Sequence, residues 1–107
     1  TSLDYRLLRD DAAVVYLNGT EVFRSNLPLG TITYTTVASG NSEQTVSQVT
    51  DASLLVEGTN VLAVEIHQRS ITSSDISFNL KLSGYKEIPT PTPTAIKAPT
   101  KACGSFF

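Results

Sequence analysis

Apolar residues recur at every second position along this chain, which no helix can use to build one buried face. Leu3, Tyr5 and Leu7 alternate with Asp4 and Arg6. Leu62, Val64 and Ile66 alternate with Ala63, Glu65 and His67, and Ile76, Phe78, Leu80 and Leu82 with Ser77, Asn79 and Lys81. Successive side chains of a strand point to opposite faces, so this period turns one face of each segment toward a core. A β-branched run at Val14-Val15-Tyr16-Leu17, Val22-Phe23, Ile32 and Tyr34 with Val37, and Val46 with Val49 complete the set. The pattern predicts strands near 2–9, 12–17, 20–25, 31–37, 44–50, 60–68 and 75–83. Asp10-Asp11, Asn18-Gly19, Pro28-Leu29-Gly30, Gly40-Asn41, Glu57-Gly58 and Ser73-Ser74 supply turn chemistry between them. The only helix candidate is a single turn at Asp51–Leu55, with Asp51 as N-cap. Short strands with regular turns predict an all-β fold, an antiparallel β-sandwich.

Asn18-Gly19 lies between two apolar strands. A type I′ turn needs positive φ at both central residues, so this dipeptide is a strong hairpin signal. Asn18-Gly19-Thr20 also satisfies the N-glycosylation rule. A hairpin tip is exposed, so a glycosylating host is expected to attach a sugar at Asn18. In a bacterial cytoplasm the tripeptide means only a turn.

At 107 residues the chain is long enough for one domain. Charged residues make up 17%, the net charge is −2, and Lys and Arg are scattered, which argues against nucleic acid as a partner. No apolar run reaches the roughly 18 residues of a membrane-spanning helix. The chain has no Met, which suggests a processed product or an excerpt, so the lack of a signal peptide does not argue against secretion. The periodic pattern stops at about Glu87, giving a domain over 1–87 and a tail over 88–107, IPTPTPTAIKAPTKACGSFF. Pro-Thr repetition favours extended polyproline II, a semi-rigid spacer. Thr90, Thr92, Thr94 and Thr100 suit O-glycosylation on composition, with an unmodified linker as the alternative. Cys103 is the only cysteine, so it is either an incidental thiol or a partner in a disulfide between copies.

RLLRDDAAVVYLNGTEVFRSNLP and LLVEGTNVLAVEIHQRSITSSDISFNLKLSG resemble the galactose-binding-like jelly rolls over roughly residues 3–84. The hairpin YLNGTEVF and the strand entry EGTNVLAVEIHQ followed by SSDISF carry the likeness most specifically. The resemblance implies a jelly roll that serves extracellular bacterial proteins as an accessory module for glycan or surface attachment, or as structural packing. It resembles also the sugar-binding domain of some β-glycosidases. Such modules usually have further strands upstream of the position of Leu3, often with a Trp or a Gly-rich segment; this sequence starts at that point and contains no Trp, so it looks like a jelly roll short of its first strands. Sugar platforms stack a ring on the sugar face, and only Tyr5, Tyr16, Tyr34 and Tyr85 are available, with Tyr5 and Tyr16 placed in strands.

Catalysis needs convergent groups. His67, the only histidine, falls on the same face as Glu65, either as a base oriented by a carboxylate or as a pair on a solvated face. Asp10-Asp11 with Asp75 is either part of a calcium site or a polar turn. Ser105 and Cys103 lie in the tail, and no nucleophile elbow, phosphate loop or dinucleotide fingerprint occurs. The expectation is a non-enzyme with no cofactor and no metal.

A sandwich short of strands exposes apolar core and unpaired backbone, and such edges recruit other chains. The tail ends in an apolar cluster of Ile96, Ala98, Ala102, Cys103, Phe106 and Phe107. Donated as a strand to another copy, it would join subunits head to tail. The leading expectation is therefore an extracellular or cell-surface structural subunit whose partners are copies of itself, assembled into a fibre. The rival is a carbohydrate-binding or adhesion module of a larger secreted protein, taking a glycan near Asn26–Leu29 and Arg69–Ser74. A third reading is a hydrolase accessory domain that packs on its catalytic partner.

Overall fold

The computed structural model describes residues 1–86. Six strands follow in order: β1 (Ser2–Asp10), β2 (Ala12–Leu17), β3 (Thr20–Ser25), β4 (Glu43–Asp51), β5 (Leu62–His67) and β6 (Ser77–Tyr85). They form two antiparallel three-stranded sheets, β4-β1-β6 and β3-β2-β5, with β1 and β2 at the centres. No helix occurs among the described residues.

Alternation decides which residues meet. Leu3, Tyr5 and Leu7 of β1 share one apolar cluster with Ala13, Val15 and Leu17 of β2, so these faces of the two sheets are the inner ones. Each side chain fully buried there contributes about 1.5–3 kcal/mol for a residue of Leu or Val size. Directly opposed residues share a face. Leu7 stands opposite Leu80 and Val46, and Tyr5 opposite Leu82 and Gln48. In the second sheet Val15 stands opposite Val64 and Phe23. The rings of Tyr5 and Phe23 meet edge to face, 5.3 Å between centroids. The Tyr5 hydroxyl reaches no partner in this core.

The hairpin between β2 and β3 is as expected from Asn-Gly. Asn18 and Gly19 have φ of 51° and 83°, the left-handed values a two-residue primed turn needs. Two expected elements are absent. No strand forms over 31–37. In that Thr-rich stretch the side chains bond locally instead: Thr33 N–H donates to Thr36 Oγ1 at 2.8 Å, and Thr36 N–H to the Thr33 carbonyl at 3.0 Å. Hydroxyl bonds of this kind compete with a sheet ladder. No helical turn forms at Asp51–Leu55 either. Asp51 accepts Ser53 N–H at 2.9 Å and caps a plain turn closed by Leu55 N–H to the Ala52 carbonyl at 3.1 Å. Leu54 and Ala52 then pack on the core.

The long connection 26–42 has a different task. β2 is buried on both faces: Ala12 and Val14, which point away from the inner cluster, are as inaccessible as Ala13 and Val15. Val14 stands opposite Arg24 and Glu65. Arg24 grips Glu21 with two bonds of 2.6 and 2.7 Å and donates to the carbonyls of Pro28 and Gly30 at 2.6 and 2.9 Å. Ala38, itself buried, donates its N–H to the Gln68 carbonyl at 3.0 Å. The connection thus folds back as a third layer over the outer face of β3-β2-β5.

Candidate functional site

Two features stand out: a cleft roofed by that third layer, and a margin along β6 that no strand covers among the described residues.

The cleft has a volume of about 670 Å³ and is bounded by Tyr34, Thr36, Glu65, His67, Gln68 and Ile76 among others. Its walls come from the 26–42 connection, the end of β5 and the β5–β6 connection, and buried polar groups at the β1–β2 corner hold both connections. The Asp10–Asp11 peptide at this corner is cis. Asp11 accepts Ser42 N–H at 2.9 Å on one carboxylate oxygen and Arg69 N–H at 2.8 Å on the other. These two N–H bonds hold its carboxyl below the usual range, against the opposing effect of burial. Arg9, also buried, donates to the Asp11 carbonyl and Ser25 Oγ, both at 2.6 Å, and to the Ser42 carbonyl and Gln44 Oε1, both at 3.1 Å. Asn26, at φ 60°, donates to the carbonyls of Asp11 and Gly40 at 3.1 and 2.8 Å.

Asp10 is buried beside this clasp, and its Oδ2 has no hydrogen-bond partner. Burial first, the adjacent Asp11 carboxyl next, and then the charges of Asp75 and Glu43 raise its pKa above the ordinary value. The calcium reading finds no support here. Both Asp11 oxygens are spent on backbone, and among the described residues no group of three or more His, Cys, Asp or Glu is arranged to hold a metal ion.

His67 is not on a solvated face. It is buried, with Nε2 2.8 Å from Glu65 Oε1 and Nδ1 2.6 Å from the Thr36 carbonyl. The pair therefore fastens the 33–38 stretch to β5. Because both ring nitrogens are engaged, no lone pair faces the cleft. A two-residue spacing on a strand suggested the Glu65–His67 contact. Thr36, 31 residues away, carried no such signal.

The tyrosines divide sharply. Tyr5 is core, Tyr16 is half-buried on the outer face, and Tyr34 is 94% exposed at the cleft. Asn18 is half-buried rather than free at its tip. Its Nδ2 donates to the Leu54 carbonyl at 2.8 Å and Asn60 Oδ1 at 2.9 Å, and its Oδ1 accepts Val61 N–H at 2.8 Å. A sugar on Nδ2 would have to replace one of those two donated bonds.

The second feature is the inner side of β6. Phe78 and Leu82 belong to the face that meets the core, yet they are 51% and 38% exposed, and Ile76 just before the strand is 58% exposed. Leu80 of this row is partly buried and packs on the cluster. The corresponding row of β4 is different: Gln44, Gln48 and Thr50 are polar, and Val46 packs on the cluster. Thr90, Thr92, Thr94 and Thr100, and the proposed assembly residues Ile96, Ala98, Cys103, Phe106 and Phe107, lie outside the described residues.

Comparison with protein-family models, with curated proteins and with solved structures gave no match.

Proposed function

We propose that this chain is a non-catalytic extracellular structural subunit, a β-sandwich of the galactose-binding-like jelly-roll kind. In this reading it assembles head to tail by lending its C-terminal segment to a neighbouring copy. The observation that carries the reading is the exposed Phe78 and Leu82 on the core-facing side of β6. Among the described residues no strand covers them, and rows of this kind invite an added strand. The subunit acts by burial and backbone pairing, and each added hydrogen bond contributes about 0.5–1.5 kcal/mol. Deleting residues 88–107 is expected to leave a folded monomer while the full chain forms higher species by sedimentation and electron microscopy. A truncated chain that still polymerises, or a full chain that stays monomeric at high concentration, removes the proposal.

A carbohydrate-binding module is the second reading, favoured by the cleft. Tyr34 offers an open ring face for a sugar, and Thr36, Glu65 and Gln68 supply polar groups around it. Glycan-array binding lost on Tyr34→Ala would favour this reading, and silence across all polysaccharides would set it aside.

A further inference from the structure

The stretch that walls the cleft has little apolar footing. From Thr31 to Ala38 only Ala38 is buried. A segment with few buried contacts depends on its polar ties and opens when one of them fails. The ends of the 26–42 connection are held by Arg24, which donates to the carbonyls of Pro28 and Gly30, and by Asn26 and Arg9, which donate to those of Gly40 and Ser42. Between these ends, two bonds among the described residues reach the end of β5 and the residue after it. Ala38 N–H donates to the Gln68 carbonyl at 3.0 Å, and the Thr36 carbonyl lies 2.6 Å from His67 Nδ1.

The second of these ties has a proton requirement. A carbonyl has no hydrogen to give, so Nδ1 must donate to Thr36. On the other side of the ring, Nε2 lies 2.8 Å from Glu65 Oε1. A carboxylate only accepts, and a neutral imidazole has a single N–H. Satisfying both contacts therefore takes a second proton, carried on Nε2 or on Glu65. Either way the array holds one proton more than a glutamate beside a neutral imidazole. The ring is buried, so a contact that fails there is not replaced by bulk water.

The surroundings offer no substitute for that proton. Ala12, opposite His67 on β2, has no ionisable group. Tyr34 lines the cleft together with Glu65 and His67, and Tyr16 of β2 feels the Glu65 charge. Asp11 donates its N–H to the His67 carbonyl at 3.3 Å, and its carboxylate is committed to the Ser42 and Arg69 N–H groups. Asp10 lies beside Asp11, and Arg69 and Asp75 belong to the β5–β6 connection. Arg24 stands across Val14 from Glu65 and is bound to Glu21.

We infer that Glu65, His67 and the Thr36 carbonyl form a proton-operated latch on the cleft wall. With the extra proton in place, the 33–38 stretch is clamped to β5. When a rise in pH removes that proton, one contact becomes oxygen against a bare ring nitrogen, and the wall bearing Tyr34 is released. The latch is independent of the head-to-tail reading and holds whether or not the cleft takes a sugar.

Amide exchange of the full chain, expressed as protection factors from about pH 5 to about pH 8, where histidine charge changes, is the test. Protection at Thr36 and Ala38 is expected to fall roughly tenfold or more relative to Leu7 and Val15 as pH rises. Glu65→Gln is the decisive variant, because its amide can donate to Nε2 of a singly protonated ring. It is expected to keep the clamp and lose the pH dependence. Asp10→Asn is expected to leave the dependence as it is. His67 is the only histidine, so ¹⁵N-histidine labelling reads its ring in the unaltered chain and keeps the test open if Glu65→Gln does not fold. Both ring nitrogens are expected to be protonated at the acid end, and one to become bare as protection at Thr36 is lost. A ring with one bare nitrogen throughout, a constant relative protection in the parent, a fall that persists in Glu65→Gln, or one that vanishes in Asp10→Asn overturns the inference.

Discussion

Asp10 and Asp11 are neighbours with opposite electrostatic fates. Asp11 is favoured as a carboxylate by two backbone N–H donors, while Asp10 is disfavoured as one by burial and by the acids around it. The pH dependence follows with opposite signs. The Asp11 contribution is present above the ordinary carboxylate value of 3.8 and disappears as pH falls through its lowered folded value. The Asp10 cost is absent at low pH and sets in as pH rises from 3.8 through its raised folded value. Asp10→Asn is therefore expected to match or exceed the parent in stability at neutral pH, with the advantage vanishing in acid. Chemical denaturation across a pH series checks it, and a parent that is clearly more stable at neutral pH contradicts it. Asn18 is the other informative residue. Asn18→Ala removes three side-chain hydrogen bonds between the hairpin tip and the 54–61 connection, and is expected to cost about 1–3 kcal/mol. A urea midpoint equal to the parent's would show that the tie is idle. The turn at Asn18 was legible because two adjacent residues specify it. The clasp was not, because Asp11 meets Ser42 and Arg69 across 31 and 58 residues.

Among the secondary elements, period-two alternation located all six strands to within two residues at each end. That is the reach of a local rule, since pleating is a property of neighbouring residues. It failed at 31–37, where Ile32, Tyr34 and Val37 alternate imperfectly among threonines. There the chain does better by bonding its own hydroxyls and laying a layer over Val14 and Ala12 than by adding a seventh strand. The layer depends on the Arg9 fork, which reaches four acceptors from one planar group. Lysine cannot reproduce that geometry. Arg9→Lys is expected to lower stability by about 1.5–3 kcal/mol and to speed amide exchange at Ala38 and Ser39 more than at Leu7 or Val15. Uniform exchange at all four would mean that Arg9 does not act through the connection.

In the whole molecule, the consequence of a β6 margin left exposed by the described residues is thermodynamic linkage. If copies cover one another, the melting temperature of the full chain rises with protein concentration, because association stabilises the folded state by mass action. The chain lacking residues 88–107 is expected to melt at one temperature across the same range. Calorimetry of both over a hundredfold in concentration is the check, and a full chain without concentration dependence counts against assembly. Alternation, β-branching and Asn-Gly were enough to establish the all-β character of the described residues, their strands and the tight β2–β3 hairpin, because these signals act over a few residues. Which sheet each strand joins, the burial of His67 and Asp10, the second covered face of β2 and, among the described residues, the exposure of Phe78 and Leu82 on β6 are relations between distant segments. They depend on which surfaces meet once the sheets are packed, and contacts made across tens of residues leave no periodic trace in the order of the amino acids.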